Sequence, residues 1–422
     1  MGSPALNTTL ARRFPQVAGL RCVLCSALYS LDEVRYTCPA CGPVGTLDVV
    51  YHAPEDRRPP APGTSPYTDP RFVPIAADTP LPTQTIPLSI GGTPHYPRSA
   101  TLPFAIKDDG RNPTASFKDR ASAMVVHHGL TMGVPVIATA STGNAAAALA
   151  GICAAVQGPR AVIFVPASAP QAKIAQLLIY GARVILVDGT YDQAFDLCWE
   201  ACETFGWYNR STGINPFTSE GKKTVSWEIA FSPVGLPDVI MTSVGDGSII
   251  ASVYKGFSDL KQLGWIDRIP RLIGVQSSGS DALTHAWQNG LDAREMIPRP
   301  AETVADSISA ALPRDRAKAL RAVRETEGAF MCVSDAEILA AIPSLARSSG
   351  IFAEPAAAAS YAGWQAARRA GWLDSSEHIL LLLTGSGLKD VARAMQAVQQ
   401  ADKLQPIAPT LAAVREVMDD AR

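Results

Sequence analysis

The fold of this chain is decided by the stretch Asn112-Pro113-Thr114-Ala115-Ser116-Phe117-Lys118-Asp119-Arg120. The Asn-Pro-Thr turn ends an extended segment, and Ser116 can cap the helix that follows. Lys118 then lies in the first helical turn, where the helix dipole disfavours a cation. An amine held there loses its proton more readily, which suits a nucleophilic lysine. By itself, the pattern also fits an ordinary solvated lysine near the start of a helix.

On both sides of this stretch, short β-branched runs alternate with segments of helical length, as in parallel βα units. The last of these runs lacks polar alternation, which indicates a central strand covered on both faces. We therefore predict an α/β fold with two open, mostly parallel sheets and helices on both faces. The predicted strands are Val136 to Thr139, Ala161 to Val165, Arg183 to Val187, Val239 to Thr242, Leu272 to Val275 and His378 to Leu383.

Three turns that follow predicted strands contain the small and polar residues that ligands commonly contact. Ala140-Ser141-Thr142-Gly143-Asn144 offers backbone N–H groups that can hold a carboxylate. The glycines of Ser243-Val244-Gly245-Asp246-Gly247-Ser248 let the backbone approach a phosphate, although Asp246 fits an anion site only if its side chain points away. Leu383-Thr384-Gly385-Ser386 places a hydroxyl at the end of the central strand. Taken singly, each segment also fits an ordinary structural turn.

Four cysteines cluster near the N-terminus as Cys22-x2-Cys25 and Cys38-x2-Cys41. This spacing is typical of a structural zinc site with four thiolate ligands. Four reduced thiols or two disulfides are the alternatives, and disulfides are disfavoured in the cytoplasm. We expect a zinc-ribbon-like module, with zinc as a structural cofactor.

Length and charge limit the classes of function. The chain has 422 residues, which predicts more than one domain, and its net charge of -2 gives no electrostatic footprint for nucleic acid. No apolar run approaches the length of a membrane span, and the N-terminus lacks a signal peptide, so we expect a cytoplasmic protein without a membrane partner. The predicted units are the module at 1–50, a proline-rich linker with the first part of a large domain at 51–115, a small α/β domain at 116–214, and the rest of the large domain at 215–422.

The order of these motifs resembles that of the fold-type-II pyridoxal-phosphate enzymes, the group of tryptophan synthase β and serine dehydratase. Within this group the chain is most similar to threonine synthases, and the cysteine module is weakly similar to those of threonine and cysteate synthases. The resemblance covers roughly residues 85 to 395. Its further motifs are Ile214-Asn215-Pro216, Glu220-Gly221-Lys222-Lys223-Thr224, Tyr254-Lys255-Gly256-Phe257, Gly274-Val275-Gln276, Thr303 to Ile308, Val333 to Ile338, and Phe352-Ala353-Glu354-Pro355.

The resemblance implies a role for each motif. Lys118 would bind the cofactor pyridoxal 5'-phosphate as a Schiff base and would move protons. Thr384 would face the pyridine nitrogen, and because a hydroxyl is a poor acid, the ring would be a weaker electron sink. The other implied cofactor contacts are Phe117, Asn144, Gly245, Asp246, Gly247 and Ser248, and the implied substrate-carboxylate contacts are Ser141, Thr142 and Gly143.

Three departures from the family pattern concern the substrate. Threonine synthases commonly carry an arginine that grips the substrate phosphate two residues before Glu220-Gly221, where this chain has Thr218. Lys222 or Lys223 could compensate, but only as point charges, without the bidentate contact of an arginine. The family's glycine is replaced by Ala115, and its histidine by Ser386.

The resemblance therefore implies a lyase that converts O-phosphohomoserine and water to threonine and phosphate. The alternative of the same class is replacement or elimination on O-phosphoserine, as in cysteate synthases. The alternative of another class is a non-catalytic binding protein with the same fold. Enzymes of this group are often dimers, so we expect a homodimer whose further partner is a small-molecule amino acid.

Overall fold

The computed structural model of the chain describes residues 9–169, 171–398 and 406–419. The strands are β1 (Val17–Cys22), β2 (Leu28–Tyr29), β3 (Leu47–Tyr51), β4 (His95–Tyr96), β5 (Ala105–Asp108), β6 (Val136–Ala140), β7 (Arg160–Pro166), β8 (Arg183–Val187), β9 (Tyr208–Asn209), β10 (Val239–Ser243), β11 (Arg271–Ser277), β12 (Ala329–Val333) and β13 (Ile379–Leu383).

The α-helices are α1 (Leu10–Arg13), α2 (Pro82–Thr85), α3 (Lys118–Thr131), α4 (Asn144–Val156), α5 (Gln171–Ile179), α6 (Tyr191–Phe205), α7 (Phe217–Lys222), α8 (Thr224–Ala230), α9 (Ser248–Gln262), α10 (Ala282–Gln288), α11 (Arg316–Glu325), α12 (Asp335–Ser349), α13 (Pro355–Arg369), α14 (Val391–Val398) and α15 (Leu411–Asp419). Short 3-10 turns lie at Gly42–Val44, Pro66–Thr68, Asp109–Arg111, Asp306–Ile308 and Gly387–Lys389. Within these described ranges, no helix is both long and apolar enough to cross a membrane.

Two mostly parallel sheets carry the body of the molecule. A six-stranded sheet has the order β12-β11-β10-β13-β5-β4, and a four-stranded sheet has the order β8-β7-β6-β9. All described pairings in the two sheets are parallel except that of β4 with β5. Each of the six predicted strands is present with ends within two residues of those predicted. The predicted α/β fold is therefore confirmed.

The strands are covered because their side chains are apolar on both faces. All five residues of β13 are buried, as are all five residues of β6 and of β10. Alanine-rich helices such as α4 and α13 approach the sheets closely, since most of their residues are buried small side chains. The carboxyl ends of β6, β9, β10 and β13 open onto one cavity.

The cysteine module is a small antiparallel sheet with the order β2-β1-β3. It is joined to the body by buried polar contacts, because Lys318 Nζ donates to the Leu47 carbonyl at 2.7 Å and lies 3.2 Å from the Asp48 carboxylate. Tyr36 Oη accepts a hydrogen bond from the Asn209 backbone N–H at 2.9 Å. The proline-rich segment continues along the body with Tyr67 and Phe72 buried. The domain limits at residues 50, 115 and 214 stay a prediction.

Candidate active site

The turn before Lys118 is fastened to the loop that follows β13. The Phe117 N–H donates to the Thr384 carbonyl at 2.9 Å, and the Ser386 N–H donates to the Ala115 carbonyl at 3.1 Å. Ala115 adopts a left-handed conformation with φ of 65°. This conformation strains any residue that carries a Cβ, which explains why the family pattern has glycine at this position.

Lys118 is the first residue of α3, as predicted, and it lines the cavity. Ser116 Oγ accepts a hydrogen bond from the Lys118 N–H at 3.4 Å, although Phe117 occupies the capping position of the helix. Burial lowers the pKa of the Lys118 amine, and the nearby Arg210 guanidinium lowers it further. The amine is therefore more available as a nucleophile and proton acceptor than an exposed lysine.

The turn between β6 and α4 brings Ser141, Thr142, Gly143 and Asn144 to the cavity. No side chain caps α4, so its first backbone N–H groups are free to receive an anion. The Asn144 amide donates to the two carboxylate oxygens of Glu354 at 2.9 and 3.1 Å. The side chain of Asn144 is thereby held in a fixed orientation.

The turn between β10 and α9 brings Gly245, Asp246, Gly247 and Ser248 to the same cavity. A Cβ on Gly245 would lie 2.7 Å from the Ile308 Cα, and Gly247 has a φ of 83°, so both positions require glycine. No side chain caps α9 either. The Asp246 carboxylate accepts a hydrogen bond from the Arg314 backbone N–H at 3.2 Å, which ties it to a neighbouring segment.

Lys222 and Lys223 lie in different surroundings. Lys222 Nζ donates to the hydroxyl of Ser248, and it lies 3.4 Å from the hydroxyl of Thr212. Lys223 Nζ lies 2.5 Å from Glu220 and 2.7 Å from Asp259, outside the residues that line the cavity. Neither lysine is among the residues that line the cavity, and the expectation that they contact the substrate stays a prediction. The carboxylates around Lys223 already compensate its charge.

Phe117 and Thr218 also lie outside the lining. Phe117 is fully buried, with the Arg120 guanidinium 5.8 Å from its ring. Its expected contact with the cofactor ring stays a prediction. The Thr218 hydroxyl donates to the Asn215 carbonyl at 2.7 Å within its own helical turn. Thr218 is therefore not among the residues that line the cavity.

Thr384 lies where the motif predicted, at the end of the central strand and on the wall of the cavity. Its hydroxyl is 3.5 Å from the hydroxyl of Ser243, which ends the neighbouring strand β10. Two hydroxyls on adjacent strand ends can donate to and accept from a heterocyclic nitrogen without introducing a charge.

Glu354 and Arg210 are among the lining residues that the sequence did not assign to the site. Burial raises the pKa of Glu354, whose carboxylate accepts from Asn144. Arg210 is fully buried directly after the two-residue strand β9. Glu354 had appeared only as part of the Glu-Pro motif, and a strand as short as β9 gives no periodic signal that would have placed Arg210.

The cavity has a volume of about 790 Å³, within the range of cofactor sites. It combines the Lys118 amine with two helix N-termini that lack side-chain caps, and Lys222 reaches the second of these through Ser248. This donor set fits pyridoxal 5'-phosphate, with an aldehyde for the amine and a phosphate for the turn at 245–248.

The four clustered cysteines fit a metal. The Sγ atoms of Cys22, Cys25, Cys38 and Cys41 all lie within 4.8 Å of one another. Four thiolates at such distances match a closed tetrahedral zinc site. The cluster is thus consistent with the zinc-ribbon-like module predicted from the spacing.

Comparisons with known proteins agree with this geometry. The family described as "Pyridoxal-phosphate dependent enzyme" matches residues 86–385. A threonine synthase of Methanosarcina acetivorans is 37% identical over 385 residues, covering 88% of this chain and 92% of the relative. A threonine synthase of Methanocaldococcus jannaschii is 34% identical over 403 residues, covering 91% and 96%. The resemblance inferred from the motifs is confirmed.

Solved structures show the same fold at lower identity. Maize serine racemase superposes with a TM-score of 0.63 at 19% identity, over 76% of this chain and 96% of that chain. The processed form of threonine deaminase isoform 2 from Solanum lycopersicum superposes with a TM-score of 0.60 at 23% identity, over 71% and 83%.

Proposed function

Since the chain belongs to the family of pyridoxal-phosphate dependent enzymes, we propose that it is a threonine synthase whose substrates are O-phosphohomoserine and water. The observation that carries the proposal is that one cavity joins the Lys118 amine to two uncapped helix N-termini. One N-terminus serves the phosphate of the cofactor, and the other serves the carboxylate of an amino acid. The extent of the similarity to threonine synthases supports the choice of substrate.

The roles of the residues follow from their positions. Lys118, Asn144, Ser248 and Thr384 would hold the cofactor, which supplies an electron sink for charge that develops at the substrate α-carbon. Because burial lowers its pKa, the Lys118 amine can accept the α-proton and return a proton to the neighbouring carbons. The Glu354 carboxylate holds the Asn144 amide in a fixed orientation at the wall of the cavity.

The turn at residues 141–143 orients the substrate. The free N–H groups at the start of α4 and the hydroxyls of Ser141 and Thr142 are donors for the α-carboxylate. A carboxylate fixed there sets the side chain of the substrate toward the rest of the cavity, where the leaving group must be received. Precise placing of the α-carbon near Lys118 contributes to the rate by proximity.

A second candidate function is β-replacement or elimination on O-phosphoserine. Thr218 favours it, because this position carries no cation and does not line the cavity. A shorter substrate would place its phosphate one methylene nearer to the α-carbon. The two substrates therefore require different positions for the group that receives the phosphate.

The test is phosphate release by the holoenzyme from both phosphoesters in parallel, with the amino-acid products identified. Threonine from O-phosphohomoserine, lost in Lys118→Ala, is the expected result. Release from O-phosphoserine alone would replace the proposal with the second candidate, and release from neither would overturn both. A cytoplasmic location, a homodimer and bound zinc remain further proposals. The mass of the purified protein in solution tests the homodimer, and metal analysis tests the zinc.

A further inference from the structure

Arg210 is a fully buried arginine with a donor group that has no partner. Its Nε donates to Ser122 Oγ at 3.1 Å and its Nη1 to Thr212 Oγ1 at 3.4 Å, whereas its Nη2 has no hydrogen-bond partner. In the part of the chain that the structure describes, no carboxylate oxygen lies within 4.0 Å of this guanidinium. A buried cationic donor without an acceptor is unfavourable, so the site is built to receive an acceptor from a ligand.

The hydroxyl of Thr212 points to the same kind of ligand. Both Arg210 Nη1 and Lys222 Nζ lie 3.4 Å from its oxygen. Arginine and lysine side chains can only donate, so the Thr212 oxygen accepts and its own hydrogen is free for another acceptor. Thr212 and Arg210 both line the cavity. Two donor groups, Arg210 Nη2 and the Thr212 hydroxyl, thus have no protein acceptor among the described residues, and the Lys222 ammonium lies beside them.

We propose that Arg210 and Thr212 hold the phosphoryl group of the substrate, with Lys222 shared between this subsite and the cofactor phosphate. This inference rests on the proposed function and names the residue that replaces the family's arginine at position 218. Two cations around one hydroxyl suit a dianion better than a carboxylate. The planar guanidinium can also bind two phosphoryl oxygens at once, which a lysine cannot do.

The position of Arg210 in the sheet suits this role. Its backbone N–H donates to the Ala138 carbonyl at 2.8 Å, so it lies beside β6, the strand whose end leads to Ser141. The donors for the carboxylate and for the phosphoryl group therefore lie on adjacent strand ends of one sheet. A single small amino acid with a carboxylate at one end and a phosphate at the other would span them.

The test titrates inorganic phosphate into the holoenzyme of the wild type, Arg210→Gln, Arg210→Lys and Arg314→Gln by calorimetry. Arg210→Gln is expected to weaken phosphate binding by about tenfold, the loss of one charge-assisted contact. Arg314 lines the cavity but lies 3.6 Å from Asp192, so its variant should change the affinity by no more than about twofold. Cofactor content, read from the absorbance of the bound cofactor, should stay the same in all variants.

Unchanged phosphate affinity in Arg210→Gln would overturn the proposal, as would an equal loss of cofactor affinity, since Arg210 would then serve the cofactor phosphate. If Arg210→Gln fails to fold, Arg210→Lys must still bind phosphate more weakly than the wild type, and equal binding would contradict the inference. L-homoserine, which carries a carboxylate and no phosphate, should bind Arg210→Gln as it binds the wild type. Phosphate binding needs no turnover. The titration therefore tests the phosphoryl subsite even if the protein shows no threonine synthase activity.

Discussion

Two consecutive lysines, Lys222 and Lys223, are both fully buried and differ in what surrounds them. Lys223 has two carboxylates within 2.7 Å, whereas Lys222 has hydroxyl partners and, among the described residues, no carboxylate within 4.0 Å. Burial lowers the pKa of Lys222, and the Asp315 carboxylate offsets this effect only in part. A buried cation with protein counter-charges supports the fold, and one without them is placed for a ligand.

Lys118 belongs with Lys222, because it too has no ion-pair partner in the described chain, and it lines the cavity. Lys118→Ala should lower turnover by about a thousandfold, the contribution expected of a positioned acid–base group. The free energy of unfolding of the cofactor-free protein should not fall, since burial of the ammonium is unfavourable. Kinetics of phosphate release and urea denaturation measure the two effects. A variant that loses both activity and stability would place Lys118 with the structural lysines.

Lys223→Met tests whether the lysine that has protein counter-charges stabilises the fold. Removing one member of a buried ion cluster leaves Glu220 and Asp259 less well compensated, so the free energy of unfolding should fall by about 3 kcal/mol. Lys222→Met is the matched control, with the same change one residue earlier. It should not destabilise the cofactor-free protein, but it should weaken binding of the cofactor phosphate. If urea denaturation showed that Lys222→Met and Lys223→Met destabilise the protein equally, the two lysines would not differ in their structural role.

A second buried ion cluster, near the Lys118 turn, makes the stability of the protein depend on pH. Glu228 is 2.6 Å from Arg120 and 2.7 Å from Lys107. Although burial opposes it, these cations lower the pKa of Glu228 to about 2, from 4.5 in an unperturbed chain. The contribution of Glu228 is therefore present above pH 4.5 and is lost as the pH falls toward 2.

This contribution is up to about 3 kcal/mol, since each pKa unit corresponds to about 1.4 kcal/mol. Glu228→Gln should therefore flatten the acid limb of the stability curve between these pH values. Denaturation with urea at a series of pH values measures the slope. An unchanged acid limb in Glu228→Gln would show that Arg120 and Lys107 do not lower the pKa of Glu228.

The smallest expected effect concerns strain at Ala115. Ala115→Gly removes the Cβ from a left-handed position and should raise the free energy of unfolding by about 1 kcal/mol. Gln157, with a φ of 47° at the end of α4, is a control for the same relief away from the cavity. A gain in Gln157→Gly together with a loss in Ala115→Gly would show that the methyl group packs favourably in the turn.

The sequence predicted six of the ten described strands in the two mostly parallel sheets and three turns that line the cavity, because apolar runs and turn residues give strong local signals. It did not predict β4, β5, β9 or β12. Strand β5 contains Lys107 and Asp108, and β4 and β9 have only two residues each, whereas β12 was missed although its five residues are apolar. The different surroundings of Lys222 and Lys223 could not be predicted from the sequence either. Which carboxylates surround each lysine depends on contacts across the fold, such as that of Lys223 with Asp259, 36 residues away.

A crystal structure of the holoenzyme with the phosphonate analogue of O-phosphohomoserine, in which a methylene replaces the ester oxygen, tests the proposed phosphoryl subsite most directly. The phosphonate should lie within hydrogen-bond distance of Arg210 Nη2 and the Thr212 hydroxyl, and the analogue's carboxylate should lie at residues 141–143. The cofactor phosphate should lie at residues 245–248. A phosphonate bound elsewhere, or Arg210 in contact with the cofactor phosphate, would contradict the proposal that Arg210 and Thr212 hold the phosphoryl group of the substrate.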